Sequence, residues 1–210
     1  MTNLLCVLDW GLGHAARSLA LADQLERDGE TTIFASCGRA LAFLRQERPE
    51  IEVHELPAYD VRYPTVNMAF NVGIQLPRWW STIQREKKAT EKLVQAYSVD
   101  RIISDSRFGC YVPGMKSILL THQLHPIFGF QLMSWAYTKY LQHFDEIWVP
   151  DKVGRPLSGA LSRPEGYENV HFIGSLSRLQ FPAKLPAKRW KSLSLLSGPE
   201  PMRRDRRGGL

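Results

Sequence analysis

Cysteine and long apolar stretches are both scarce in this chain. Its 210 residues include three cysteines, Cys6, Cys37 and Cys110, which form no CxxC pair. An odd number of widely spaced cysteines excludes a disulfide framework and gives no zinc-ligand pattern, so we expect reduced, packed thiols. No apolar run approaches the roughly 18 residues that cross a bilayer, and the start Met-Thr-Asn lacks the features of a secretory signal. We therefore expect a cytoplasmic protein that holds no metal and no cofactor of its own.

Excess positive charge is absent from the body of the chain, although the net charge is +6. Residues 1–181 hold 19 Lys and Arg against 19 Asp and Glu, whereas residues 182–210 hold 8 against 2. A nucleic-acid interface needs basic residues clustered on a folded face, because phosphate contacts supply most of the affinity. Since the whole excess lies in the tail, nucleic acid is not expected as a partner.

Short apolar segments alternate with helical patterns along the chain. The first segment, residues 4–8, precedes a glycine turn and a stretch of apolar residues at helical spacing. Alternation of this kind is typical of an α/β fold with a doubly wound, mostly parallel sheet. The pattern predicts strands at 4–8, 31–36, 51–56, 101–104, 117–120, 146–149 and 170–173, a helix at 39–46, and a helical region at 67–97 that is interrupted at Pro77.

Polar clusters follow three of the predicted strands. They are Asp9 to His14 after the first strand, Asp105 to Phe108 after the fourth, and Thr121 to Gln123 after the fifth. In open parallel sheets, ligands bind at the carboxyl ends of the strands, near the point where the strand order reverses. We therefore expect the three clusters to converge on one crevice.

The segment from Gly11 to Arg17 reads Gly-Leu-Gly-His-Ala-Ala-Arg. The glycines permit a tight turn, and the free amides of the helix that follows suit a phosphate or another anion. The segment also fits the dinucleotide motif G-x-G-x-x-A. However, His14 occupies the place of a cofactor pyrophosphate, and the second predicted strand ends without the carboxylate that binds an NAD ribose. Arg39 could instead contact the extra phosphate of NADP, so an NADP site remains an alternative.

The strings LDWGLGHAARSLALADQL, SDSRFG, LTHQL, WVPD and FIGSLSR together resemble a known family. They are similar to the amino-terminal half of predicted glycosyltransferases related to the enzyme that adds N-acetylglucosamine to a lipid-linked cell-wall precursor. Gly-x-Gly-His-x-x-Arg is also similar to the UDP-sugar hydrolase of pseudaminic acid synthesis. The resemblance covers most of residues 3–178 and implies a Rossmann-like, acceptor-side domain of a GT-B fold. By position, Gly11, Gly13, His14 and Arg17 match the loop beside the acceptor and the transferred sugar.

Inversion at a sugar carbon requires a base that takes a proton from the acceptor hydroxyl. Histidine is the side chain suited to proton transfer near neutral pH, so His14 is our candidate base. The competing interpretation is a histidine that hydrogen-bonds the first helical turn. Asp9 either orients His14 or terminates the strand. Arg17 either contacts an anion or pairs with a carboxylate.

The other strand-end residues are candidates for binding the acceptor or a diphosphate. Asp105 either binds a ligand or caps the next helix, and Arg107 either binds a ligand or forms a structural ion pair. His122 and Gln123 resemble the family's Thr-His-Gln signature and are expected to line the acceptor pocket. For His122 the competing account is a partly buried histidine whose hydrogen bonds are satisfied within the protein.

Aromatic and basic residues lie close together between Tyr63 and Lys92. Such a segment can contact a membrane surface, which would favour a lipid-linked or membrane-borne acceptor. A long helix whose apolar stripe packs on the sheet has the same periodicity, and we favour that interpretation.

The carboxyl end determines the domain organisation that we expect. Residues 1–178 form the acceptor-side domain, 179–191 a linker, and 192–210 the truncated start of a second domain followed by a basic tail. In the resembling family the domain that binds the nucleotide sugar begins there, so the chain alone is expected to be inactive. The alternatives are a self-standing UDP-sugar hydrolase or NADP-dependent enzyme, and a noncatalytic subunit that receives a donor domain from another chain.

Overall fold

A computed structural model describes residues 1–60, 68–125, 131–154 and 157–179. The described residues form seven β-strands, four α-helices and one 3-10 turn at Gly159–Ser162. The strands are β1 (Thr2–Val7), β2 (Thr31–Ser36), β3 (Val53–Glu55), β4 (Arg101–Asp105), β5 (Ser117–Leu120), β6 (Glu146–Val149) and β7 (Val170–Phe172). The helices are α1 (Leu12–Arg27), α2 (Gly38–Glu47), α3 (Met68–Tyr97) and α4 (Gln131–Leu141).

The strands form one sheet in the order β3-β2-β1-β4-β5-β6-β7. Every paired neighbour in it runs parallel, so the doubly wound α/β fold expected from the sequence is confirmed. The order reverses between β1 and β4, where Leu5 pairs with Ile103. A crevice therefore opens at the carboxyl ends of these two strands, which is where this topology places ligands.

Successive side chains of each strand point to opposite faces of the sheet, and each face buries its own core. Leu5 and Val7 of β1 pack in a cluster with residues of α1 and α2. Leu4 and Cys6 pack in a second cluster, which α3 covers through side chains such as Leu93. A third cluster seats α4 against β5 and β6. Both faces are covered, as the apolar runs of the strands require.

Two helices differ from the sequence prediction. The interruption predicted at Pro77 is absent, because α3 runs from Met68 to Tyr97 with Pro77 inside it. Pro77 is exposed, and a proline inside a helix removes one backbone hydrogen bond. Helix α4 was not predicted, since its sequence carries aromatic side chains on both an exposed face, with Trp135, and a packed face, with Tyr140.

Most of the predicted domain at 1–178 lies within the described residues. The predicted linker beyond residue 179 and the second-domain remnant at 192–210 lie outside them. Within the part of the chain that the structure describes, no helix is long and apolar enough to cross a membrane. The three cysteines are buried, as expected, and each is a free thiol.

Candidate functional site

Asp105 is the centre of a polar cluster at the switch point of the sheet. Its carboxylate is fully buried and accepts a hydrogen bond from Nδ1 of His14 at 2.8 Å. Nε of Arg17 donates to both carboxylate oxygens, at 3.1 and 3.0 Å, and Nη2 of Arg17 also contacts Oδ1. The hydroxyl of Ser18 donates to Oδ2 at 2.9 Å. Because positions i, i+3 and i+4 share one face of a helix, α1 presents all three side chains to the end of β4.

Burial and charge act on Asp105 in opposite directions. Burial disfavours the ionised carboxyl and by itself raises the pKa. The hydrogen bond from His14 and the positive charge of Arg17 outweigh burial, so the pKa of Asp105 lies below its usual value. The carboxylate is therefore ionised at neutral pH and forms an ion pair with Arg17, whose side chain is 15% exposed.

The ring of His14 uses one nitrogen to hold its position. An ionised carboxylate can only accept hydrogen bonds, so Nδ1 of His14 carries the proton that it shares with Asp105. Nη2 of Arg17 lies 2.9 Å from the same nitrogen because both groups converge on one oxygen of Asp105. No described residue bonds Nε2, and 20% of the side chain is exposed. The geometry leaves the Nε2 lone pair available to an external hydroxyl.

Asp9 contacts the start of α2 rather than His14. Its Oδ1 accepts the backbone N–H of Ala40 at 2.9 Å, and its Oδ2 accepts that of Arg39 at 3.3 Å. Gly38 makes this approach possible, since a Cβ at that position would lie 2.1 Å from Oδ2, and its φ is +53°. The structure thus places Asp9 as a cap on α2, and Asp105 takes the orienting position beside His14.

Arg107 is not brought to the cluster. Its side chain is fully buried and forms an ion pair through Nε with the buried Glu86 of α3. Its remaining nitrogens donate to the backbone carbonyls of Val7 at 3.1 Å and Pro57 at 2.5 Å. All of these partners are internal to the protein, so the contacts correspond to the structural ion pair that the sequence left as an alternative to ligand binding.

His122 joins the cluster and Gln123 does not. Nη1 of Arg17 lies 3.3 Å from Nδ1 of His122, which follows β5. The backbone N–H of Gln123 donates to Oγ1 of Thr121 at 3.1 Å, and its exposed side chain has no partner among the described residues. Of the two residues that the sequence proposed for the acceptor pocket, His122 contacts Arg17 and Gln123 faces solvent.

The glycine loop is open at its surface. Gly11 and Gly13 are exposed, and a Cβ on either would meet nothing within 4 Å. Gly11 adopts a φ of +124°, which side chains disfavour, and it precedes α1 without any side-chain cap on the helix. The first amides of α1 are thus free to face a ligand or water.

A cavity of about 260 Å³ opens beside Arg17 and His122. Its far wall comes from the segments that follow β6 and β7, namely Pro150, Asp151, Leu157, Ser158, Ser175 and Leu176. The cavity extends the site along the carboxyl edge of the sheet, from the switch point toward β7.

Asp151 shapes this cavity and was not predicted as a site residue. Its buried carboxylate accepts the backbone N–H groups of Lys152 and Leu157, both at 2.8 Å, and that of Ser158 at 2.9 Å. Burial by itself raises the pKa of Asp151, but these bonds and that of the Ser158 hydroxyl lower it well below its usual value. The WVPD string contains Asp151, but a single carboxylate after a strand did not indicate how the loop folds around it.

Aromatic side chains border the other side of the crevice. Trp10 is 46% exposed, and its ring lies 6.2 Å from that of Trp79 on α3 and 6.4 Å from that of Tyr59. On the same helix, Leu76 and Trp80 are 47% and 66% exposed. The later part of α3 packs on the sheet, as favoured from the sequence, whereas these two earlier residues project into solvent.

The described residues contain no group of three or more His, Cys, Asp or Glu side chains that could hold a metal ion.

The sequence matches no protein-family model and no curated protein. Its structure is similar to that of the calicheamicin glycosyltransferase CalG4, with a TM-score of 0.55 and 14% identity over 89% of this chain and 55% of that one. A UGT transferase from Siraitia grosvenorii in complex with UDP gives a TM-score of 0.54 and 14% identity, over 88% of this chain and 53% of that one. The fold is that of a GT-B amino-terminal domain.

The expected structural relation to GT-B glycosyltransferases is thereby confirmed, and the chain spans about half the length of the two solved structures. MurG from Acinetobacter baumannii is also similar, with a TM-score of 0.47 and 12% identity over 74% of this chain and 42% of that one.

Proposed function

We propose that this chain is the acceptor-binding half of an inverting glycosyltransferase that uses a nucleotide sugar, with His14 as the catalytic base. The observation that carries the proposal is the pairing of His14 with the buried carboxylate of Asp105 at the switch point of the sheet. The pairing fixes the ring and leaves Nε2 unbonded within the described residues. A histidine held in this way and placed where the fold binds ligands has the geometry of a general base.

In the proposed reaction, this chain contributes His14 as the base and Asp105 as the group that stabilises its protonated form. Nε2 of His14 takes the proton of the acceptor hydroxyl while that oxygen forms a bond to the anomeric carbon of the donor sugar. The bond from the same carbon to the nucleoside diphosphate breaks, and the diphosphate leaves with its electron pair. The carboxylate of Asp105 stabilises the imidazolium that forms and itself stays ionised.

The donor is proposed to bind to a second domain, because the chain spans about half of the solved structures that it resembles. On this proposal the 210 residues alone do not catalyse transfer. The donor domain is either continuous with this chain or supplied by another polypeptide as a separate subunit. The UDP in the Siraitia structure supports a nucleotide sugar as the donor class.

The acceptor is proposed to be a sugar or a lipid-linked sugar that enters over the glycine loop. Gly11, Gly13 and Gln123 are exposed along this path and remain candidates for contacting it. The projecting side chains of Leu76 and Trp80 support a peripheral contact with a membrane, where such an acceptor would reside.

An NADP site is disfavoured by the position of Asp9. Its carboxylate occupies the amino end of α2 and accepts the N–H of Arg39, the residue proposed to meet the extra phosphate. A phosphate placed there would face a carboxylate at close range, and like charges at that distance repel.

The first test is a calorimetric titration of the 210-residue chain with UDP, UDP-sugars and NADPH. In parallel, the chain is joined to a nucleotide-binding domain of the same fold class and assayed with the same ligands. We expect UDP-sugar binding and turnover by the joined protein only. Tight binding of a UDP-sugar or NADPH by the chain alone would overturn the half-enzyme proposal and favour a self-standing enzyme.

The role of His14 is tested in the joined protein. His14→Gln is expected to lower transfer by about 10²- to 10⁴-fold, because the proton of the acceptor then has no base. His125→Gln is the matched control, since His125 is an exposed histidine three residues beyond His122 that makes no contact with the cluster. Equal activity of the two variants would exclude His14 as the base.

A further inference from the structure

The two histidines of the cluster differ in whether their Nδ1 atoms can reach an acceptor. Nδ1 of His14 lies 2.8 Å from the carboxylate of Asp105, which only accepts hydrogen bonds, and 2.9 Å from Nη2 of Arg17. Nδ1 of His122 lies 3.3 Å from Nη1 of Arg17, and no described residue offers it an acceptor. A guanidinium only donates. The two rings must therefore carry their protons on different nitrogens: His14 on Nδ1, and a neutral His122 on Nε2.

Charge and burial keep His122 neutral at physiological pH. Burial lowers its pKa below the usual value, and the positive charge of Arg17 lowers it further, with His14 acting in the same sense. Asp105 and Asp151 act in the opposite sense and are outweighed. A neutral ring whose Nδ1 accepts from Arg17 presents one N–H, at Nε2, and no described residue accepts it.

The cavity beside His122 offers no unpaired positive charge among its described lining residues. Arg17 is already paired with the carboxylate of Asp105. Asp151 adds a second negative charge, and its oxygens are occupied by the N–H groups of its own loop. A diphosphate in this cavity would face no net attraction from these groups, whereas a neutral hydroxyl or carbonyl oxygen can accept the N–H of His122.

We infer that His122 is a hydrogen-bond donor that selects a neutral oxygen of the bound sugar, and that Arg17 is a positioning residue that fixes the tautomer of His122. The inference rests on the proposed function for the kind of ligand and refines it, since it assigns a sugar oxygen rather than a diphosphate to this side of the crevice. Within one cluster, Asp105 prepares His14 to accept a proton, and Arg17 prepares His122 to donate a hydrogen bond.

The tautomers are measurable in the 210-residue chain without any ligand. Long-range proton–nitrogen NMR spectra of protein labelled with ¹⁵N-histidine, assigned with His14→Gln and His122→Gln, report which ring nitrogen is protonated. At neutral pH we expect the Nδ1–H form for His14 and the Nε2–H form for His122. An Nδ1–H form or a doubly protonated ring at His122 would overturn the inference.

Arg17→Lys tests the positioning role, because it keeps the positive charge next to Asp105 and removes the planar fork. We expect the nitrogen shifts of His122 to move toward a mixture of tautomers, while His125 is unchanged. An unaltered Nε2–H form in Arg17→Lys would show that Arg17 does not fix the ring.

The ligand class is tested with two probes at millimolar concentration, N-acetylglucosamine and inorganic pyrophosphate. We expect the sugar alone to shift the Nε2–H resonance of His122. His122→Gln keeps an N–H near the Nε2 position and should retain the sugar's effect on neighbouring resonances, whereas His122→Asn reaches only as far as Nδ1 and should lose it.

A response to pyrophosphate instead of the sugar, or to neither probe, would overturn the assigned ligand class and leave the proposed base His14 untouched. Conversely, the expected tautomers in a protein whose joined form transfers no sugar would overturn the proposed function and not the tautomer assignment.

Discussion

Two buried carboxylates, each paired with an arginine, lie near the carboxyl edge of the sheet. They differ in whether the groups around them keep a free hydrogen-bonding atom. Glu86 and Arg107 are both fully buried, and the remaining groups of the pair bind the Tyr59 hydroxyl, the N–H of Gly109 and backbone carbonyls. Asp105 is equally buried, but its partners His14 and Arg17 are 20% and 15% exposed.

The difference separates a structural ion pair from a candidate site. In the Glu86 pair each guanidinium nitrogen donates to an internal acceptor and both carboxylate oxygens accept from internal donors, so neither buried side chain presents a group to a ligand. In the Asp105 cluster the internal bonds fix two imidazole rings and leave one nitrogen of each ring unbonded within the described residues. Burial and pairing are common to both pairs, so neither property alone identifies a functional site. The unbonded nitrogens are what distinguish them.

The largest effect on stability is expected from breaking the Glu86–Arg107 ion pair. Glu86→Ala leaves the guanidinium of Arg107 buried without a counter-charge, which should lower the free energy of unfolding by about 3–5 kcal/mol. Urea denaturation followed by circular dichroism measures the change. Glu47→Ala is the control, because its ion pair with Arg178 is about one-third exposed on each side and should contribute at most about 1 kcal/mol. Similar losses in the two variants would contradict the structural role of the Glu86 pair.

A smaller effect on stability is expected when the negative charge of Asp105 is removed. Asp105→Asn keeps the shape of the side chain and should lower the free energy of unfolding at neutral pH by about 1–3 kcal/mol. Because the pKa of Asp105 is lowered on folding, its ionised form stabilises the native state above the unfolded pKa of about 4. That contribution is lost as the pH falls through the folded pKa.

The wild-type chain should therefore lose stability on acidification more steeply than Asp105→Asn. Asp151, whose pKa is also lowered, is expected to preserve part of the slope in the variant. Denaturation curves recorded across the acidic range measure both slopes. Parallel curves for the two proteins would show that Asp105 is not ionised preferentially in the native state.

The smallest effect on stability is expected at His14. Asp105 keeps its hydrogen bonds from Arg17 and Ser18 after His14→Gln, and the ring is partly exposed, so the free energy of unfolding should change by less than about 1 kcal/mol. The same urea measurement applies. A loss comparable to that of Glu86→Ala would place His14 among the structural residues and remove the contrast between the two pairs.

Most of the fold could be predicted from the sequence because the strands are buried on both faces and appear as short apolar runs. Strands β2, β5 and β6 have the predicted bounds. The interruption expected at Pro77 did not occur, and α3 continues through this residue although an interior proline costs a backbone hydrogen bond and a ring clash. Helix α4 was missed because exposed and packed aromatic residues alternate too closely to show one apolar stripe.

The candidate site could be predicted only as a set of loops. Glu86 lies between Arg85 and Lys87 and has the sequence pattern of a solvated helix face, yet it is the buried partner of Arg107. The pairing of His14 with Asp105 joins residues 91 positions apart, and no local pattern indicates which carboxylate will reach the ring. Asp9 is nearer to His14 in sequence, but it accepts the backbone N–H of Ala40 at the start of α2, because Gly38 has no Cβ to block this approach.

The position of β1 inside the sheet has a consequence for how the protein folds during synthesis. Thr2–Val7 leaves the ribosome well before one of its two neighbours, β4, which is about a hundred residues further along the chain. Pairings this distant in sequence form slowly, because closing a long loop costs entropy before the new contacts can stabilise it. Until β4 has emerged, one edge of β1 stays unpaired and open to chaperones or to aggregation. Because His14 follows β1 and Asp105 is the last residue of β4, a nascent chain acquires its candidate site only when these two strands pair.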